Sequence, residues 1–271
     1  MNRAAHFKTP YKAAAAVLVL LLAVVALDPA AAFAEGEPPL SLDKPTLDLC
    51  PGDDPFTLHA VFTPEDAAAP VVWASSDESV ATVDGGGAVT AVALGTAGIT
   101  AETEDGALSA TCAVTVKSGE IAASAYTVDR AAGLLTGVLK FTTPTLFLAG
   151  FDNDAADLSI LGADGNAYGG RFVGTGAAVE LSINGIVRDS LKVVVLGDAS
   201  GDGVISISDY SLARLDILGR RKLVNEYFLA GDVNADGVIS ISDYSLMRLD
   251  ILGRRPIGGG SAFDLTGVTD P

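Results

Sequence analysis

Residues 197–221 and 231–255 are one segment written twice. GDASGDGVISISDYSLARLDILGRR and GDVNADGVISISDYSLMRLDILGRR lie 34 residues apart and differ at four of 25 positions. A duplication this close puts both copies into the same local fold, so the chemistry of one is the chemistry of the other. Each copy opens on closely spaced aspartates and runs into an apolar stretch.

Calcium is a hard cation that takes oxygen ligands, so a chain that binds it must turn tightly and present carboxylates at short intervals. Counted from Asp198 as loop position 1, the first copy offers Ser200 at 3, Asp202 at 5, Gly203 at 6 and Asp209 at 12. The second offers Asp232, Asn234, Asp236, Gly237 and Asp243 at the same places. Val204 and Val238 fall at position 7, where the backbone carbonyl is the ligand, and Ser206 and Ser240 at position 9, where water intervenes. Glycine at position 6 permits the sharp turn. Isolated Asp-Gly turns are common; two copies with aligned donors through the last position predict two calcium ions. The general pattern has a longer glutamate where both copies have aspartate.

Ser206-Ile207-Ser208-Asp209 is an N-cap followed by an acid three residues on, and it recurs at 240–243. Each loop should therefore lead straight into a helix. Leu191 to Gly197 is β-branched and reads as a strand. The expected unit is a loop plus exit helix, twice, and not a full helix–loop–helix pair.

From Gly197 to Arg255 the segment resembles a type I dockerin, with its two calcium loops and the DYSLxRLDILG exit helix. The resemblance implies binding to a cohesin domain of a scaffoldin, typically in assemblies that degrade plant polysaccharides. It also implies partner contacts at Ile207, Ser208, Arg214 and Leu215, repeated as Ile241, Ser242, Arg248 and Leu249. Because these residues are identical between copies, either helix could present the same face after a half-turn, the partner contacting mainly one helix at a time. The two leucines serve equally well to pack the helices together. Ser200 departs from the usual Asn or Asp at position 3, which makes the first site the weaker on ligand grounds.

Arg3, Lys8 and Lys12 precede an apolar run from Ala13 to Leu27, and Ala32-Phe33-Ala34 places small residues before Glu35. That is the layout of an export signal spanning residues 1–34. The run is short of the ~20 residues of a membrane span and no stop-transfer charges follow it. The expected mature chain is secreted and not membrane-inserted. Cleavage removes three bases and one acid, taking the formal charge from −17 to −19. Such acidity argues against nucleic acid or an anionic membrane as partner.

Beyond residue 34 there remain one histidine, His59, and two cysteines, Cys50 and Cys112. An even pair in an exported protein is most simply a disulfide, with two free buried thiols as the alternative. One histidine leaves no credible zinc site, Ser-His-Asp triad or Cys-His pair, so no enzyme is expected.

Residues 38–117 carry short β-rich runs between turn residues, the pattern of a small sandwich. Asp84-Gly85-Gly86-Gly87 is a hairpin turn signal. Pro64, the run WASSDESVATVD from Trp73 and GAVTAVALGTAGITA from Gly87 resemble a bacterial Ig-like domain of group 2. That resemblance implies a spacer or adhesion module, Trp73 in its core, and Cys50 and Cys112 joining the first and last strands. Residues 120–196 read as a further small β-rich module. Its acids, including Asp152, Asp154, Asp157 and Glu180, could supply a glycosidase pair, but no motif fixes two of them together. Its aromatics, Tyr126, Phe141, Phe147, Phe151, Tyr168 and Phe172, are spaced as core.

The expected architecture is multidomain: an all-β Ig-like sandwich, a small β-rich module, then a small α-helical dockerin over 197–255 and a flexible tail over 256–271. The expected function is non-catalytic docking to a cohesin-bearing scaffold. The alternative is a surface-adhesion or carbohydrate-binding protein whose β modules carry the ligand site.

Overall fold

The computed structural model describes residues 39–63 and 69–259. The export segment, Pro64 of the Ig-like signature and the tail from residue 260 onward lie outside the described residues. What is described is mostly β-sheet, with short helices concentrated toward the C-terminal end.

The first nine strands are β1 (Leu40–Leu42), β2 (Thr46–Leu49), β3 (Phe56–Thr57), β4 (Ala60–Phe62), β5 (Val71–Ser75), β6 (Ala81–Val83), β7 (Ala88–Ala91), β8 (Gly95–Thr103) and β9 (Ser109–Val116). They form a four-stranded sheet in the order β2-β9-β8-β5, a three-stranded sheet β3-β7-β6 and the pair β1-β4. Alternation decides which face is buried: Ala97, Ile99, Ala101 and Thr103 of β8 point inward, with Cys112, Val114 and Val116 of β9. Trp73 packs against this core as a partly buried side chain. Gly87 is where the ring meets the turn. Its φ is +82°, and a Cβ there would lie 2.6 Å from the Leu58 carbonyl and 2.9 Å from the indole. Asp84 closes the hairpin by accepting from the Gly86 and Ala88 amides, both at 2.9 Å.

The expected disulfide is absent; Cys50 and Cys112 are free and buried. The strands that flank the two cysteines, β2 and β9, do pair, but in parallel, with Thr46 opposite Ala113 and Leu49 opposite Val116. This register puts Cys50 level with Lys117, five residues past Cys112, or about 16 Å along the strand. A disulfide needs Cα atoms within about 7 Å. Cys112 instead fills the sandwich core, while Cys50 joins the core of the next module. Burial raises the pKa of both thiols.

That next module has β10 (Thr127–Asp129), β11 (Leu134–Thr136), a short helix α1 (Pro144–Leu148), β12 (Leu158–Leu161), β13 (Ala178–Ile183) and β14 (Ile186–Val193). One five-stranded sheet runs β10-β11-β14-β13-β12, with β11 parallel to β14. Helix α1 was not foreseen, although Thr143 caps it and Pro144 opens it, a legible start signal. Tyr126, Phe147 and Phe151 pack on one another with ring centroids 5.1–5.3 Å apart. None of the six aromatics is exposed. Of the acids, Asp154 caps a 3-10 turn and Asp157 is held by Lys117 at 2.8 Å. Lys117 also reaches Asp48 at 2.7 Å, and Arg188 grips Asp53 through two bonds of 2.6 and 2.9 Å, fastening the module to the sandwich.

Candidate calcium loops and partner face

Three further α-helices are described: α2 (Ile207–Ile217), α3 (Asn225–Gly231) and α4 (Ile241–Ile251). Ser206 and Ser240 form full capping boxes with Asp209 and Asp243, so the last acid of each loop also fixes the start of its exit helix. One expectation is corrected. The first loop is entered from β14, but α3 runs directly into the second, which is therefore a helix–loop–helix. The helix is short and anchored by burial of Ala230 and Gly231, with the Gly197 amide donating to the Ala230 carbonyl at 2.8 Å.

The loop aspartates converge. Carboxylate oxygens of Asp198, Asp202 and Asp209 lie within 4.8 Å of one another, and those of Asp232, Asp236 and Asp243 do likewise. Asp198, Asp209, Asp232 and Asp243 are buried, and Asp202 and Asp236 are exposed. Backbone amides orient the carboxylates. Asp198 accepts from Gly201, Asp202 and Gly203, and Asp232 from Asp236 and Gly237. Asp209 accepts from the Ser200 and Ser206 amides, matched by Asp243 with Asn234 and Ser240. Burial, with a smaller push from Asp209, raises the Asp198 pKa to about 6. Among the described residues no Lys or Arg side chain pairs with any of these six aspartates. Crowded, partly buried carboxylates without a protein cation are the donor set a hard divalent ion fits. Ser200 stands beside the first cluster and Asn234 beside the second; Val204 is partly buried and Val238 is exposed.

The repeat extends further than its sequence signature. Asp216 and Asp250 are both buried at the ends of α2 and α4. Asp216 accepts from the Leu223 amide at 2.7 Å, and Asp250 from the Ile257 amide at 2.8 Å. Of the stretch read from sequence as the start of the tail, Ile257–Gly259 instead forms a 3-10 turn whose Ile257 packs on the helical core. The cations differ. Asp216 is paired with Lys222 from its own copy at 3.0 Å; the equivalent position in the second copy is Pro256, and Lys140 of the middle module reaches Asp250 at 2.5 Å. Sequence reasoning passed over both aspartates, although their identical offset in the two copies was a signal.

Helices α2 and α4 pack antiparallel. Tyr210 stacks on its own repeat, Tyr244, with centroids 3.7 Å apart, so the pair lies on the approximate two-fold axis. Ile207 and Ile241 are each 71% exposed. Ser208, Ser242, Arg214 and Arg248 are exposed, whereas Leu215 and Leu249 are partly buried. Ile207 shares a small hollow with Tyr210, Arg248, Ile251 and Leu252, and a groove of about 690 Å³ continues past Ser208 and Ser211. Its helix-mate Arg214 lies seven residues away, about 10.5 Å along the axis. The equivalent residues at the other end are Ile241, Tyr244, Arg214, Ile217 and Leu218, with Ile217 more exposed than Ile251.

A sequence profile for the bacterial Ig-like domain (group 2) matches residues 51–114, and one for the dockerin type I domain matches residues 196–252. The alpha-L-arabinofuranosidase of Bifidobacterium longum subsp. longum is 52% identical over 65 residues, 24% of this chain and 6% of that protein. The lacto-N-biosidase of Bifidobacterium bifidum is 54% identical over 59 residues, 22% of this chain and 5% of that protein. The chain thus spans only a small share of the length of these curated relatives. A solved bacterial Ig-like domain containing GH10 xylanase from termite gut is 24% identical, covering 27% of this chain and 19% of that one, at TM-score 0.21. The protein carries a bacterial Ig-like domain followed by a dockerin type I domain. Dockerin type I domains are known to bind calcium, and the two domains together suggest an extracellular or cell-surface setting. Neither matched domain is a catalytic module.

Proposed function

We propose that this is a secreted, non-catalytic protein that attaches itself to a cohesin-bearing scaffoldin through a dockerin holding two calcium ions. One ion would be held by Asp198, Ser200, Asp202, the Val204 carbonyl and Asp209, the other by Asp232, Asn234, Asp236, the Val238 carbonyl and Asp243. The observation that carries the reading is the paired carboxylate clusters, each joined by a capping box to a helix with an exposed isoleucine. Bound calcium supplies charge neutralisation and closes each loop. The chain's own residues do the rest: Asp209 and Asp243 transmit loop closure to the helix starts, and the stacked tyrosines set the helix pair. The partner face would then be Ile207, Ser208, Arg214 and Leu215 with Ile241, Ser242, Arg248 and Leu249. The isoleucines contribute apolar area and the arginines directional hydrogen bonds. Any polysaccharide would be met through other members of the assembly. Tyr126, Phe147, Phe151 and Tyr168 pack in the core of the middle module, which supports docking over a carbohydrate-binding role for it.

The test is capture on an immobilised cohesin with and without a calcium chelator, alongside calorimetry. Chelation should release the chain and lower the melting transition of the helical unit, since a ligand of the folded state alone stabilises it. Retained capture and an unmoved transition under chelation would remove the calcium reading.

A further inference from the structure

Three of the four differences between the copies fall together, at Ala199/Val233, Ser200/Asn234 and Gly201/Ala235. The surroundings of the two loops differ at the same place. The first loop is covered by the middle module. The Thr175 amide donates to Asp198 Oδ2 at 2.8 Å, and Thr175 is itself locked by hydroxyl bonds to the Val195 carbonyl and amide. The Phe141 amide donates to the Gly203 carbonyl at 2.9 Å. A Cβ on Gly174 would run into the Gly201 backbone, one on Gly201 would lie 2.6 Å from the Thr175 carbonyl, and one on Gly203 2.8 Å from Phe172. Among the described residues the second loop has no such cover. Asn234 through Val238 are exposed, and a Cβ on Gly237 would meet nothing within 4 Å.

We infer that the middle module is a working part of the first calcium site, with the Thr175 amide as a positioning group for the Asp198 carboxylate, while the second site is self-contained. This rests on the calcium reading above. The fixed amide holds Asp198 in place before the ion arrives, and a position-1 carboxylate already oriented loses less freedom on binding. Gly174 and Gly201 are what let the two backbones come this close. Coupling is reciprocal, so an ion in the first loop must also steady the segment around Thr175.

Calcium titration of the full chain, with the Gly203 and Gly237 amide resonances reporting each loop separately, tests this. Gly201→Ala and Gly174→Ala strike the same contact from opposite sides. Each should weaken the first site by about tenfold or more, the scale of one hydrogen bond to a charged group. The second site should stay within about twofold. Alanine already occupies the equivalent loop position as Ala235 at φ +56°, so loss at Gly201→Ala cannot come from loop conformation alone. Should either variant fail to fold, hydrogen exchange on the unaltered chain decides. Thr175 amide protection should fall when calcium is removed, together with that of Gly201 and Gly203. Equal weakening of both sites, an unmoved first site, or Thr175 protection indifferent to calcium would each overturn the inference. An unaltered chain that binds no calcium at either loop would instead remove the calcium reading itself.

Discussion

The antiparallel helix pair makes a prediction that the sequence alone orders the other way. Read from sequence, changing Ile207 with Arg214 would disable one helix and leave the other to bind. In the structure Ile207 shares its hollow with Arg248; if the repeat carries the same arrangement to Ile241 and Arg214, each end of the face takes its isoleucine from one helix and its arginine from the other. The double change Ile207→Ala with Arg248→Ala then removes one end and spares its equivalent. Losing one of two equal orientations halves the association constant, a change of about twofold. The double change Ile207→Ala with Arg214→Ala damages both ends at once. An isoleucine that is 71% exposed has most of its side chain to bury against a partner. Three carbons at ~0.8 kcal/mol each, taken at that fraction, give about 1.7 kcal/mol. An arginine hydrogen-bonded to a polar rim contributes a comparable amount. Each orientation loses one anchor, and affinity should fall by tenfold or more, since ~1.4 kcal/mol is a factor of ten. Calorimetric titration against a cohesin that captures the unaltered chain measures both variants, and changing all four residues should abolish binding with calcium-dependent folding retained. If the same-helix pair binds almost normally while the shared-hollow pair falls tenfold, a single helix carries the site and the two-ended face is wrong.

Gly87→Ala should destabilise the sandwich by about 2 kcal/mol or more, from overpacking against Trp73 and Leu58 and a strained positive φ; denaturant unfolding followed by the fluorescence of the single tryptophan reads this directly. Thiol titration of the unfolded chain without reductant should count two free thiols, and none would restore the disulfide. The Arg188 hydrogen bonds hold Asp53 below the ordinary carboxylate range of 3.8. A depressed folded-state value stabilises above the unfolded pKa and is lost as pH falls through the lowered one. Arg188→Met should therefore lower the melting temperature at neutral pH and have little effect in strong acid; an equal shift at both would show that packing, and not the ion pair, is responsible.

What could be read in advance was local. The loop acids, the capping serines and the hairpin at Asp84 depend on residues a few positions apart, and the acids converge while the serines and Asp84 form the helix starts and turn their spacing implied. Sandwich strands such as β8 and β9 followed their alternation. The disulfide failed because the count of cysteines says nothing about register, and the parallel pairing of β2 with β9 was invisible until the chain closed. Helix α3 was missed because only the first loop's entry was read, and a strand there was carried over to the second. The packing of Thr175 on Asp198 could not be read at all: it is a backbone donor, and any residue but proline carries one. Gly201 against Ala235 was its one trace, visible as a difference and unintelligible without the neighbour.

Lys140 bears on where this protein can be cut. A fragment beginning near residue 196, the boundary that the dockerin profile marks, carries Asp216 away together with Lys222. It leaves behind the lysine that faces Asp250, keeping for that carboxylate only the amide of Ile257. Of these two ion pairs, the cut keeps one whole and breaks the other, and it also removes Thr175 from the first loop. Grafted onto a foreign protein as a tag, the unit would need a lysine at Pro256 to rebuild the Asp250 pair, or the preceding module, which supplies both Lys140 and the Thr175 amide.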